Sequence, residues 1–210
     1  MIGIIDYRAG NLTSVARALG HLGQACTVTA DPAILARATH LVFPGVGAAG
    51  EAMAYLRQSG LDRWIKEWVE QEKPLLGICL GTQVIFDYSE EDDTACLGIV
   101  AGSVRRFPKN LSSGGQLLKI PHMGWNEVSF ATHPVFRGLP AGAEFYFVHS
   151  YYPAPSDARW VAGEVEYGIR FCAALARDNL VAVQFHPEKS GRPGLAILEN
   201  FCRWGGTDAE

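Results

Sequence analysis

The chain has 210 residues, 48% of them hydrophobic and 19% charged, which suits one sizeable core and a single domain over residues 1–210. Its 18 basic and 22 acidic residues leave a net charge of −4 with no basic block or aromatic-basic interleaving, which argues against nucleic acid as a partner. No apolar run approaches the roughly 20 residues of a membrane span, and the five cysteines, at 26, 79, 96, 172 and 202, form no C-x-x-C pair, which argues against a metal site and for a reducing, cytoplasmic setting.

Ile2 to Asp6 follows Met1 at once and reads as a first strand rather than a secretion leader. Asn11 is placed to N-cap a helix whose Leu12, Val15, Ala16 and Leu19 share a face, with Gly20 or Gly23 ending it. Ala25 to Thr29 is a second strand. Asp31-Pro32 caps and opens a short helix, Leu41 to Phe43 is a third strand, and Leu61 to Gln71 sets Leu61, Trp64, Ile65 and Trp68 on one helical stripe. Pro74 to Ile78 is a buried strand, and Leu80 to Phe86 can continue as a helix. Repeated strand-helix units imply a parallel sheet with helices on both faces.

The second half is strand-rich. Ile99 to Phe107, Gln116 to Ile120, Glu127 to Phe130, Phe145 to Tyr151, Trp160 to Tyr167, Arg170 to Arg177 and Leu180 to Phe185 are β-prone runs broken by Gly, Pro and Asn. Gly191 to Trp204 is a closing helix with Leu195, Leu198 and Cys202 near one face. The expected fold is α/β in three layers, its central sheet mixed but mostly parallel.

Chemistry concentrates at the junction of the fourth strand and its helix. Gly77-Ile78-Cys79-Leu80-Gly81 is a thiol version of the nucleophile elbow, in which the nucleophile sits on a strained corner and small flanking residues let the turns pass. A free thiol of pKa about 8.5 is a weak nucleophile near neutrality until a base and a helix N-terminus favour the thiolate. The alternative is a small buried hydrophobe, as most unpaired cysteines are.

Gly45 to Gly50 matches G-x-G-x-x-G after a strand, a dinucleotide fingerprint. It follows the third strand rather than the first, Pro44 precedes it, and Cys79 stands where an acidic ribose ligand belongs. The competing reading makes the Val46-Gly47 loop half of an oxyanion hole, with the Leu80 N–H as the other half. Rotation about Gly45 and Val46 could then swing one donor in or out.

His186-Pro187-Glu188, at the end of an apolar strand, offers a base and its orienting carboxylate, placed on one side if the chain is extended there. His21, His40 and His133 lack such a setting and read as structural.

Together these residues resemble the triad-type, class I glutamine amidotransferases. Pro44-Gly45-Val46-Gly47, Gly77 to Gly81 with Gln83, and His186-Pro187-Glu188 mark the class. Asp6-Tyr7 with Gly10-Asn11, Pro121 to Asn126, Phe147 to Tyr151 and Glu188-Lys189-Ser190 look like the glutaminase subunits of imidazole glycerol phosphate synthases in histidine biosynthesis. Arg8 and Thr82 depart from that pattern, in which a small residue and Met are common; neither removes a reacting group.

The resemblance implies a Cys79-His186-Glu188 triad that hydrolyses L-glutamine through a glutamyl thioester, with no cofactor and no metal. It also implies glutamine binding by Gln83, Gly47, His149, Ser150 and Tyr151. The implied partner is a (β/α)8 barrel cyclase that takes up the ammonia, with Asn11, Pro121, Met123, Trp125, Asn126 and Lys189 at the interface; a glutaminase of another synthase, such as pyridoxal phosphate synthase, would share the chemistry. Met123-Gly124-Trp125 reads as an exposed turn.

Overall fold

The computed structural model describes residues 1–207, and the last three positions of the domain expected over 1–210 lie outside the described residues. An eight-stranded sheet runs in the order Ser129–Phe130, Val161–Glu166, Arg170–Arg177, Leu180–Val183, Leu75–Cys79, His40–Gly45, Ile2–Ile5 and Cys26–Thr29. Every pairing from Leu180–Val183 to Cys26–Thr29 is parallel, and the remaining three are antiparallel. Helices connect Ile2–Ile5 to Cys26–Thr29 and His40–Gly45 to Leu75–Cys79, as parallel neighbours need, and short turns connect Val161–Glu166, Arg170–Arg177 and Leu180–Val183. Leu180–Val183, by contrast, comes beside Leu75–Cys79 only after the strand-rich second half of the chain.

Period-two alternation on the strands builds two cores. Ile4, Val42, Leu76, Ile78, Val181 and Val183 face one side, against Val15 and Leu19 of the Leu12–His21 helix and Leu198 and Phe201 of the Gly191–Arg203 helix. Leu41, Phe43, Leu75 and Ala182 face the other, against Leu56 of the Ala49–Ser59 helix and Leu61, Ile65 and Trp68 of the Leu61–Glu70 helix. Leu75–Cys79 lies between parallel neighbours with all five residues buried, so its C-terminal end is a fixed platform for Cys79.

Several elements differ from the sequence reading. Ala49–Ser59 is a helix where only a glycine loop was read, because Ala49, Ala52, Met53 and Leu56 form a buried stripe behind those glycines. The helix after Cys79 stops at Val84, and Phe86–Ser89 joins a second sheet with Thr94–Ala95, Val100–Arg106 and Tyr151–Pro155. Gln116–Leu117 is the only pairing in the run to Ile120, and the 127–130 run is divided between the end of the His122–Glu127 strand and Ser129–Phe130. The last helix buries Gly194, Ile197, Leu198 and Phe201 rather than Leu195 and Cys202. A Cβ on Gly194 would meet the Pro187 carbonyl at 2.0 Å, so close packing there sets the helix rotation.

Met123-Gly124-Trp125 is not a turn. It lies in the His122–Glu127 strand, paired antiparallel with Glu144–His149, and alternation buries His122 while leaving Met123 and Trp125 62% and 54% exposed.

Candidate active site

Cys79 ends its strand at φ 54° and ψ −108°, a conformation non-glycine residues rarely adopt, and the Leu80–Val84 helix begins directly after it. Both glycines of the elbow are required sterically. A Cβ on Gly81 would lie 1.7 Å from the Phe43 carbonyl oxygen, and one on Gly77 would lie 2.9 Å from the Ala182 Cβ. Leu80 is the first helical residue, so its N–H belongs to the group at a helix start that has no intrahelical partner. Thr82 explains itself: its buried hydroxyl donates to the Val183 carbonyl at 2.7 Å, tying the elbow to the neighbouring strand.

His186 is buried and its Nδ1 lies 2.8 Å from Glu188 Oε1. The pair does not form through extended chain as expected; Pro187–Lys189 is a single 3-10 turn that folds Glu188 back onto the ring. Asn11 completes it, donating from Nδ2 to the same Glu188 oxygen at 2.6 Å. Asn11 therefore does not cap its helix with its side chain: it sits at the N-cap position with φ 78° and turns its amide toward Glu188. Burial alone would lower the His186 pKa, but the Cys79 sulfur and then the Glu188 carboxylate outweigh it and hold it at about 9. His186 Nε2, the nitrogen left for chemistry, is buried without an aligned hydrogen bond.

A cavity of about 310 Å³ opens on Cys79 and is lined by Val46, Gly47, Leu80, Gln83, Glu91, Pro121, Val148, His149, Ser150 and Tyr151. The candidates for oxyanion and substrate binding are thus brought together around one sulfur. Gly45 pairs with Cys79 in the sheet, which places the Val46-Gly47 loop beside the nucleophile. Gly45 is needed for close approach, since its Cβ would meet the Tyr7 hydroxyl at 1.7 Å, whereas Gly47 carries the unusual φ of 124° with open space around it. Gly50, the last glycine of the dinucleotide-like run, lies inside the Ala49–Ser59 helix.

Three residues here were given no role at the site in the sequence reading, although Tyr7 was quoted there within Asp6-Tyr7. Tyr7 has a buried hydroxyl without a partner, and burial followed by the Cys79 sulfur holds its pKa well above the usual phenol value. Glu91 accepts the Ala49 N–H at 2.8 Å, and burial raises its pKa. Gln184, fully buried, donates from Nε2 to Cys79 Sγ at 3.7 Å. Glu91 and Gln184 make these contacts with residues far away in sequence.

The residues expected at the interface have different immediate surroundings. Lys189 lies over the Tyr146 ring at 5.8 Å and Trp125 lies 6.2 Å from that ring, so these two share an exposed surface with Met123. Pro121 lines the cavity, Asn11 is held by Glu188, and Asn126 contacts His122 and the Glu166 carbonyl. Arg8 lies over the Tyr55 ring at 5.1 Å. His40 bonds the Trp204 carbonyl and His133 accepts the Val135 N–H, both away from Cys79 in sequence and in role, and His21 is exposed. Among the described residues no group of three His, Cys, Asp or Glu could hold a metal ion, and no helix is long and apolar enough to cross a membrane.

Residues 3–204 match the family described as glutamine amidotransferase class-I. The chain belongs to this family. Among curated relatives, "Imidazole glycerol phosphate synthase subunit HisH" of Nitratidesulfovibrio vulgaris is 54% identical over 203 residues, 96% of this chain and 95% of that protein. The protein of the same name from Aromatoleum aromaticum is 50% identical over 208 residues, covering 97% and 98%. A solved glutamine amidotransferase superposes with a TM-score of 0.73 at 18% identity, covering 96% of this chain and 98% of that one, so the two share a fold. As a class-I glutamine amidotransferase, the chain has the mixed sheet with helices on both faces expected of it.

Proposed function

We propose that this chain is the glutaminase subunit of an imidazole glycerol phosphate synthase, working as one amidotransferase domain over residues 1–210 in a reducing, cytoplasmic setting where its five cysteines stay free. The observation that carries this is a strained Cys79 lining the cavity together with a buried His186 that is backed by Glu188 and Asn11 and whose pKa the Cys79 sulfur raises.

In this reading the Cys79 thiolate attacks the side-chain amide carbon of L-glutamine. The tetrahedral oxyanion is received by the Leu80 N–H and the Val46-Gly47 loop. Ammonia leaves with the proton carried by His186 Nε2, leaving a glutamyl thioester. His186 then takes a proton from water, hydroxide adds to the thioester, and glutamate departs as the thiol re-forms. Glu188 orients the ring.

The amino-acid end of the substrate meets acceptors. Gln83 gives both amide hydrogens to protein, at Tyr151 O and Gln184 Oε1, so only its oxygen is left for the substrate α-ammonium, and Glu91 supplies a carboxylate in the same cavity.

Only neutral ammonia has a nucleophilic lone pair, so release to water would waste the product as ammonium. The exposed Met123, Trp125 and Lys189 surface fits a capping partner, read as the (β/α)8 cyclase. Glutamine labelled with 15N at the amide, supplied to the chain with that cyclase and its phosphoribosyl substrate, tests this. The reading requires label in the imidazole product despite excess unlabelled ammonium at low pH; product lacking label contradicts it.

A further inference from the structure

Gln184 touches the reacting sulfur yet has no part in the mechanism above. Its Nε2 donates to Cys79 Sγ at 3.7 Å, while its Oε1 accepts from Gln83 Nε2 at 2.9 Å. A carboxamide can turn either end toward a neighbour; with the oxygen held by an N–H donor, the NH2 end must face the sulfur. Gln83 is fixed in turn, because its other N–H goes to the Tyr151 carbonyl at 3.0 Å.

The same carbonyl fixes what lies beyond it. His149 Nδ1 is 2.8 Å from Tyr151 O, and a carbonyl only accepts, so His149 carries its proton on Nδ1 and leaves Nε2 bare. His122 Nδ1, 3.0 Å from that nitrogen, is then the donor, and its own Nε2 accepts from Asn126 Nδ2 at 3.3 Å. Each bond has one permitted direction. Burial lowers His149 to about 3 and His122 to about 4, keeping both rings neutral as that direction demands.

We infer that Gln184 is a further catalytic residue whose buried N–H stabilises the Cys79 thiolate, held in place by the positioning residues Gln83, His149, His122 and Asn126. An N–H bond to an ionised acceptor is roughly twice as strong as one to a neutral acceptor, so the contact favours thiolate over thiol. The inference rests on reading Cys79 as the nucleophile.

The test is alkylation of the full chain by iodoacetamide across pH, read by mass spectrometry on the peptide carrying Cys79, so that the other cysteines do not interfere. Gln184→Met keeps the length and removes the donor. It should raise the alkylation midpoint by about one pH unit, a tenfold loss of thiolate below the midpoint, and lower kcat with little change in KM. Gln184→Glu, which sets an anion beside the sulfur, should shift it further the same way. If Gln184→Met does not fold, Gln83→Met, which lets the Gln184 amide turn, must shift the midpoint in the same direction. An unmoved midpoint in a folded variant overturns the inference even where turnover has fallen, because a merely structural Gln184 would do that. Failure of the nucleophile reading shows separately, as glutamine turnover by Cys79→Ala.

Discussion

Asn11 Nδ2 donates to Glu188 Oε1 at 2.6 Å across 177 positions of sequence, and the same oxygen holds His186 Nδ1 at 2.8 Å. One carboxylate oxygen is thus shared by a neutral donor and the catalytic imidazole, so the amide sets where the carboxylate can sit. Hydrogen bonds to charged groups contribute about 1.5–3 kcal/mol. Asn11→Gly, which tolerates the observed φ of 78°, should lower glutaminase kcat about tenfold with KM nearly unchanged and a small change in thermal midpoint. Asn11→Ala should add a stability loss of about 1 kcal/mol from the strained backbone. Steady-state kinetics and thermal melts on both variants separate the two effects.

The pH dependence of stability follows from His186. Its folded pKa of about 9 lies above the ordinary value of 6.5, so the folded state binds more protons between those values. The stabilisation is complete below about pH 6.5 and is lost as pH rises through about 9. Urea midpoints should therefore fall across this window for the wild type relative to His186→Gln, and Glu188→Gln should flatten the difference. Parallel curves for wild type and His186→Gln would contradict the charged state assigned to the ring.

Two glycines should respond differently. Gly81→Ala forces a Cβ to 1.7 Å from the Phe43 carbonyl, and should destabilise by about 3 kcal/mol or more and remove activity. Gly47→Ala meets no atom but must hold φ 124°, so its loss should be about 1–3 kcal/mol, with the loop settling elsewhere. Activity should fall because a misplaced oxyanion donor costs on the order of 10²- to 10³-fold. Equilibrium unfolding and kcat measured together distinguish clash from displacement.

Trp125 is 54% exposed on a strand whose opposite face buries His122. Trp125→Ala should leave the thermal midpoint nearly unchanged and weaken cyclase binding by more than about 1 kcal/mol, measured by calorimetry. Unchanged affinity would move the interface away from this surface.

What was legible in the sequence was local. The flanking glycines announced the Cys79 elbow, and Asp31 caps its short helix as read, accepting the Ala33 N–H at 2.8 Å. Glycine also misled: Gly45 to Gly50 read as loop hid the start of the Ala49–Ser59 helix, whose stripe is supplied by alanine and a single Met and Leu. Asn11 fitted an N-cap by rule, but Glu188 is the stronger partner, a competition no local window contains. Gln184 and Glu91 were invisible because their partners, Cys79 and the Ala49 N–H, lie 105 and 42 positions away.

The central claim is that Cys79 forms a glutamyl thioester with the help of His186. Rapid acid quench of the chain turning over glutamine, with the cyclase present, followed by peptide mass spectrometry, tests it most directly. The account predicts a glutamyl adduct on the peptide containing Cys79, more of it in a His186→Ala variant supplied with an activated glutamyl ester, and neither adduct nor glutamate production in Cys79→Ala. Glutamate production at the wild-type rate by Cys79→Ala, or an adduct on another residue, would contradict it.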